Sequence, residues 1–297
     1  MANSELFSEE EARDPKYNAV RDNDPPEDIR AKEFCIELWE RFESYADSHF
    51  LEQFKIDFDA RFWEMYLICT LLERGFPVEC PKPGPDILLP NDDSKIWIEA
   101  IAPNSGSDES PDSVPEHRIG IAQSVPNDQV ILRYRSAIAE KCGKYQNYLD
   151  KGILESHDAF IIAINGCNVR SSRTDFDPPQ IVRSVFPIGD EYITIDRESG
   201  DINDTGFHFR NAVTKASGAE VSIDIFIDEH YTYLSGVLFS NSDCYNRPVI
   251  NGEDFIFVHN PIAKISVPHE LFNIGREYIA DPSGNEYILR FNDWRNA

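Results

Sequence analysis

The sequence predicts an α/β fold, and three observations carry that expectation. Two long segments place apolar residues at helical spacing, two short apolar strands lie between them, and a continuous apolar run follows the second helix. At 297 residues the chain suffices for one large domain or two small ones. A hydrophobic content of 41% and an aromatic content of 12% indicate a folded globular protein.

Taken in order, residues 1–28 are polar, acidic and proline-bearing without periodicity, and are expected to be flexible. Helical patterning starts near Ile29 and runs through Phe34, Ile36, Leu38, Trp39 and Phe42. A second helix is predicted from about Asp57, with Phe58, Phe62, Met65, Tyr66, Cys69 and Leu72 in register and Gly75 as its stop. Phe76 to Cys80 is a short strand candidate. Asp86 to Leu89 and Lys95 to Ala102 read as two further strands joined by a polar turn, the second rich in Ile and Trp. Pro103 ends it, and residues 104–126 form a long loop expected to be mobile. Asn127 or Asp128 is the expected cap of a long helix reaching Lys151, with Gly152 beyond it. Asp158 to Ile164 reads as a strand buried on both faces.

The core is therefore expected over residues 29–168, in the order helix-β-β-β-helix-β. Residues 169–297 are expected to form a β-rich C-terminal extension or a companion lobe. A short helix is predicted near 178–186, with strands near 192–195, 221–227, 234–240, 255–258, 278–280 and 287–291.

The chain holds 53 acidic against 28 basic residues, a formal charge of −25. Such a field repels nucleic acid and anionic membranes unless a local basic surface overrides it. Residues 1–30 alone hold nine carboxylates against four basic groups. The six cysteines are scattered without a Cys-x-x-Cys pair, which fits free thiols in a reducing cytoplasm. No apolar run approaches the roughly 18 residues needed to span a membrane, so a cytoplasmic protein without a membrane partner is expected.

The residues that break the apolar pattern carry the functional expectation. Glu99 sits between Ile98 and Ala100, where an unpaired carboxylate would cost several kcal/mol, roughly, or take up a proton. Asp86 opens the neighbouring strand behind Gly84-Pro85. Two carboxylates on adjacent strands can share a hard divalent cation, which makes a metal-dependent phosphodiester site the first expectation.

Glu64 in Phe-Trp-Glu-Met-Tyr, Pro85-Asp86, and Glu99 in Ile-Trp-Ile-Glu-Ala-Ile, within that order of elements, resemble the PD-(D/E)XK (restriction-endonuclease-like) nuclease superfamily. The resemblance covers roughly residues 57–165, about a third of the chain. It implies a restriction-endonuclease-like core in which Asp86 and Glu99 bind Mg2+, or Mn2+ in its place, with Glu64 in support. It also implies a lysine two residues after the Glu, on the same strand face. That position is Ile101.

The long helix offers a substitute cation. Arg133, Lys141, Lys144 and Tyr148 fall on one side of it at about 100° per residue, beside the face of Ile131, Ile138, Cys142, Tyr145 and Leu149 expected to pack on the sheet. Lys144-x-x-x-Tyr148 also resembles the Gln-x-x-x-Tyr element of some superfamily branches. Lys144 is the first expectation for the migrated lysine and Lys141 the second. Arg133, Arg135, Lys141 and Lys144 form the densest basic cluster, and so the expected contact surface for nucleic acid.

Bland readings stand beside these. Glu64 could pair with Arg61 on a helix surface, Asp86 could cap a turn, Glu99 could form a structural salt bridge, and the basic residues could be a solvated helix face. The histidines show no metal-ligand spacing, and no Gly-x-Ser-x-Gly, phosphate-loop or dinucleotide fingerprint occurs. Asp224, Asp228, Asp243 and Arg247 read as turn and strand-end residues, and His259 as a satisfied core imidazole. Two functions follow: a divalent-metal-dependent nuclease or a descendant of one, and a catalytically silent interaction protein whose acidic surface binds a basic protein partner. Ile101 and the charge of −25 favour the second.

Overall fold

Asp14 turns its carboxylate onto the amides of Lys16 and Tyr17 and starts helix α1 (Pro15–Asp22), with Pro15 in the first turn, where its missing N–H is harmless. The computed structural model describes residues 5–23, 29–90, 94–174, 177–284 and 286–296. The segment expected to be flexible therefore contains a docked helix. Leu6, Tyr17 and Val20 are buried against Phe7, Phe54 and the helices that follow. Its other residues, 1–4 and 24–28, lie outside the described ones, as does the polar turn expected at 91–93.

Helices α2 (Ile29–Phe42), α3 (Phe50–Phe54) and α4 (Phe58–Glu73) form one layer. Asp57 caps α4 by accepting from the Ala60 amide at 3.3 Å. Nearly every face of α4 is buried, as expected of a helix sandwiched between a sheet and other helices. Gly75 ends it with φ +80°, a left-handed conformation, and a Cβ there would meet nothing within 4 Å. Gly75→Ala is expected to cost about 1–2 kcal/mol from backbone strain alone, read as a lower midpoint in urea with an unchanged slope.

Strands β1 (Ile87–Leu89) and β2 (Ile96–Ile101) pair antiparallel, Ile87 opposite Ile98. The strand expected over 76–80 reduces to a single bridge between Glu79 and Leu88. Pro77 and Pro81, which have no N–H to donate, bracket it and leave no room for a ladder. Helix α5 (Asn127–Asp150) follows, then β3 (Ala159–Asn165), buried throughout. Neither expected cap of α5 serves as one. Asn127 Oδ1 accepts from Gln180 and Asp128 pairs with Arg210. The loop at 104–126 is tied down in part: Val114 is fully buried and Arg170 bonds its carbonyl together with Asp108 and Glu116.

The remainder comprises α6 (Gln180–Arg183), the hairpin β4 (Ile188–Ile195) and β5 (Ile202–Phe209), the hairpin β6 (Ala212–Thr214) and β7 (Glu220–Ser222), then β8 (Gly236–Ser240), β9 (Ile256–His259), β10 (Arg276–Ser283) and β11 (Glu286–Asp293). The strand expected over 221–227 stops at Ser222, whose hydroxyl bonds Asp224, and a 3-10 turn occupies Ile225–Ile227.

The result is an α/β architecture around one seven-stranded mixed sheet, ordered β1-β2-β3-β8-β9-β10-β11. Strands β2, β3 and β8 run parallel to one another. The C-terminal half thus extends the first sheet instead of forming a lobe of its own. Along β2, Ile96 and Ile98 face α4 while Trp97 and Glu99 alternate onto the face of α5, so two apolar cores lie on opposite sides of the sheet.

Candidate active site

Glu99 lies on β2 under α5 with 1% of its surface exposed. Its Oε2 accepts from Lys141 Nζ at 2.8 Å and Lys144 Nζ at 3.3 Å, and its Oε1 from the Tyr148 hydroxyl. These three donors occupy positions 141, 144 and 148, one helical stripe, so a single helix face satisfies the buried carboxylate. The order expected between the lysines is reversed. Lys141 is the closer and the more buried, whereas the Lys144 side chain is 44% exposed.

Asp86 stands just before β1, and continuing the register by one step sets it opposite Glu99. Its Oδ2 accepts from the Ala100 amide at 2.7 Å, and Oδ1 accepts no hydrogen bond among the described residues. It is therefore anchored by the backbone and retains a free oxygen. Burial draws the Lys141 proton affinity down, but the charges of Asp86 and Glu99 outweigh it and the net direction is up. The ammonium is thus held charged between the two carboxylates. Burial, the Glu99 bond and the charges of Glu99 and Asp86 push the Tyr148 phenol up, so it stays a donor.

A cavity of about 310 Å³ opens at the carboxyl end of β2, between α4 and α5. Ligands of open α/β sheets commonly bind in such crevices. Glu64, Asp86 and Lys141 line it together with Arg61, Arg133 and Glu140. Glu99 does not line it. Glu64 reaches it from α4, mostly buried, with Oε2 accepting from Arg61 Nη1 at 2.6 Å. Burial raises its proton affinity, Arg61 opposes this, and Asp86 reinforces it.

The residues present fit a hard divalent cation. Asp86 and Glu64 bring oxygen donors to a polar cavity, and Mg2+ commonly needs only one or two carboxylates plus water and substrate oxygens. Among the described residues no three Asp, Glu, His or Cys side chains form a metal-binding group. Glu99 is engaged by its lysines; of the four carboxylates in the cavity wall, Asp57, Glu64, Asp86 and Glu140, Asp86 and Glu64 are the pair that matches the expected ligands.

The basic cluster divides. Arg133 lines the cavity and donates Nε to the Asn104 carbonyl at 2.7 Å. Arg135 does not belong to it: it is buried, donates to the Ser222 carbonyl at 2.7 Å and lies over the Tyr231 ring, fastening α5 to β7. Being buried, it is not part of the exposed basic surface. At position 101, where the resemblance implies a lysine, Ile101 packs on the α5 core and borders the cavity. In the sequence Arg61 stands out only as a partner for Glu64, and its place in the cavity wall leaves no local mark. The three-residue spacing marked the pair but not the side of the helix it would face.

Elsewhere, Asp243 is more than a turn residue. It accepts from the Tyr245 and Asn246 amides and also pairs with Lys16 at 2.9 Å and Arg173 at 3.0 Å. His259 is buried on Glu277 at 2.7 Å, a satisfied imidazole. All six cysteines are free. Among the described residues no helix is long and apolar enough to cross a membrane.

No protein family matches this chain. No curated protein and no solved structure matches it either.

Proposed function

We propose that this chain is a divalent-metal-dependent phosphodiesterase acting on nucleic acid, built on a PD-(D/E)XK-like arrangement whose strand lysine has moved to the following helix. The observation that carries this reading is the Lys141–Glu99 ion pair at 2.8 Å, beside Asp86 and at the edge of a cavity that Glu64 and Lys141 both line. The ammonium comes from α5 and arrives next to the strand position that Ile101 leaves without one.

Asp86 and Glu64 would hold Mg2+ or Mn2+, while Glu99 stays with its lysines and Tyr148. Such a cation, when bound, neutralises developing negative charge and lowers the pKa of its water. Lys141 would direct a fixed positive charge at a phosphate in the cavity, where exclusion of bulk water strengthens it. Glu99 holds that ammonium in place, and Tyr148 in turn holds Glu99. Arg133, fixed to the Asn104 carbonyl, would bind a neighbouring phosphate of the strand.

A second reading is favoured by one specific observation: Glu99 is already met by two ammoniums and a phenol, as in a purely structural ion cluster. Together with the charge of −25, this fits a silent interaction protein that binds a basic partner. Thermal and urea denaturation with Mg2+, beside cleavage assays on single- and double-stranded DNA and RNA, separates the two. A phosphodiesterase should gain about 1.4 kcal/mol of stability at Mg2+ ten times its Kd and cleave at least one substrate. Absence of both effects ends the enzymatic reading.

A further inference from the structure

The strongest unassigned feature of the cavity is Arg61. It sits in the first turns of α4, with its side chain 31% exposed and its Nη1 on Glu64 at 2.6 Å. Glu64 lines the cavity and is one of the two carboxylates that would hold a cation there. As the structure stands, a guanidinium already neutralises it. A divalent cation that takes both Glu64 oxygens must displace Arg61 from Oε2, the one it occupies.

Of the other carboxylates in the cavity wall, Asp86 would share the cation and Glu140 belongs to α5, not to α4. Asp47, whose charge also acts between Arg61 and Glu64, is held by Lys82 at 3.4 Å and by the His49 amide at 2.9 Å. Asp57 is engaged in capping α4. Arg61 itself borders the open cavity, and a planar guanidinium matches phosphate oxygens two at a time. Lys141 differs in mobility: it is mostly buried and fixed between Glu99 and Asp86, so it cannot make such an excursion.

Charge balance points the same way. The cavity wall carries four carboxylates (Asp57, Glu64, Asp86 and Glu140) against three cations (Arg61, Arg133 and Lys141). One divalent cation turns that excess of a single negative charge into a single positive charge. One phosphodiester then neutralises it.

We propose that Arg61 couples the two binding events at this cavity: it guards Glu64 while metal is absent, and binds the substrate phosphodiester once metal has displaced it. The inference rests on the phosphodiesterase reading. Metal alone binds weakly because it competes with a resident cation. Metal with a phosphodiester binds more tightly because the released guanidinium gains a partner. By linkage the metal must strengthen diester binding by the same factor.

The test is calorimetric titration of Mg2+ at pH 8, with and without a phosphorothioate dinucleotide that keeps the diester charge. Wild-type protein is expected to bind Mg2+ about tenfold more tightly when the dinucleotide is present, within the usual range of coupling between sites. Arg61→Gln is expected to bind Mg2+ alone about fivefold or more tightly than wild type, and to lose the enhancement by the dinucleotide. Arg61→Lys should restore part of that enhancement. Thermal denaturation of each variant verifies that it is folded, which the partial exposure of Arg61 favours. An Arg61→Gln protein that binds Mg2+ no better than wild type, or that keeps the full dinucleotide effect, overturns the coupling while leaving the phosphodiesterase standing. Failure of both proteins to bind Mg2+ at all removes the phosphodiesterase reading as well.

Discussion

Lys141→Ala is expected to lower the single-turnover rate of phosphodiester cleavage by about 10²-fold or more, the scale seen when one fixed stabiliser of transition-state charge is removed. Lys144→Ala should cost about tenfold or less, because Lys144 is the longer and more exposed of the two partners and does not line the cavity. The ranking matters more than either value. Stability should follow a different order. Glu99→Ala leaves the buried Lys141 ammonium without its 2.8 Å partner and is expected to destabilise by about 3–5 kcal/mol. Lys141→Ala leaves Glu99 with Lys144 and Tyr148 and should cost less than half of that. Its folded protein then isolates the loss of activity. Linkage adds a sign. The folded-state pKa of Lys141 is raised, so its contribution to stability is present below the unfolded value of about 10.4 and is lost as pH rises through the folded one. A Lys141→Ala protein that cleaves at the wild-type rate would remove the migrated-lysine mechanism.

Much of this site was legible because chemistry interrupted pattern. Glu99 stands in a strand of Ile, Trp and Ala, and an apolar strand tolerates a carboxylate only with partners. Helical geometry then put Lys141, Lys144 and Tyr148 on one stripe, and all three reach Glu99. Periodicity could not rank the lysines. Their order depends on where the helix axis crosses the sheet, which neighbouring side chains determine. Nor could it show that Arg135, two residues from Arg133, turns to the opposite side to hold β7. That contact joins residues 87 positions apart. The alternating and continuous apolar runs located β2, β3, β8 and β9, since burial on a sheet face leaves a local signature. The placement of β8 beside β3, which merges the two halves into one sheet, leaves no such mark, because pairing between distant strands is decided by topology.

The N-terminal segment misled for a similar reason: its fastening is long-range and polar. Lys16 lies among acidic residues that read as a solvated tail, yet its ammonium meets Asp59 on α4 at 2.6 Å and Asp243 after β8 at 2.9 Å. Both carboxylates are buried. Lys16 is held charged because Asp59 and Asp243 outweigh the opposing effect of burial. The two carboxylates share it unequally. Burial keeps the Asp59 proton affinity up, whereas at Asp243 burial is outweighed by Lys16, Arg173 and backbone amides, and the direction is down. Lys16→Met is therefore expected to cost about 3–5 kcal/mol near pH 7, the scale for leaving a buried charge without its partner. The Lys16 contribution is present below about pH 10.4, its unfolded value, and disappears as pH rises through the raised folded value. In the variant, two acids face each other with only Arg173 beside them, so the deficit should shrink as pH falls and Asp59 takes up a proton. Adding Asp59→Asn to Lys16→Met should recover a large part of the loss, giving a coupling energy well above the few tenths of a kcal/mol, roughly, expected of independent sites. Urea denaturation of the four proteins of this cycle at pH 5 and pH 7 measures it. Equal stability of wild type and Lys16→Met at pH 7 would show that α1 is held by Tyr17, Val20 and Leu6 alone, and that the lysine only follows where the apolar contacts lead.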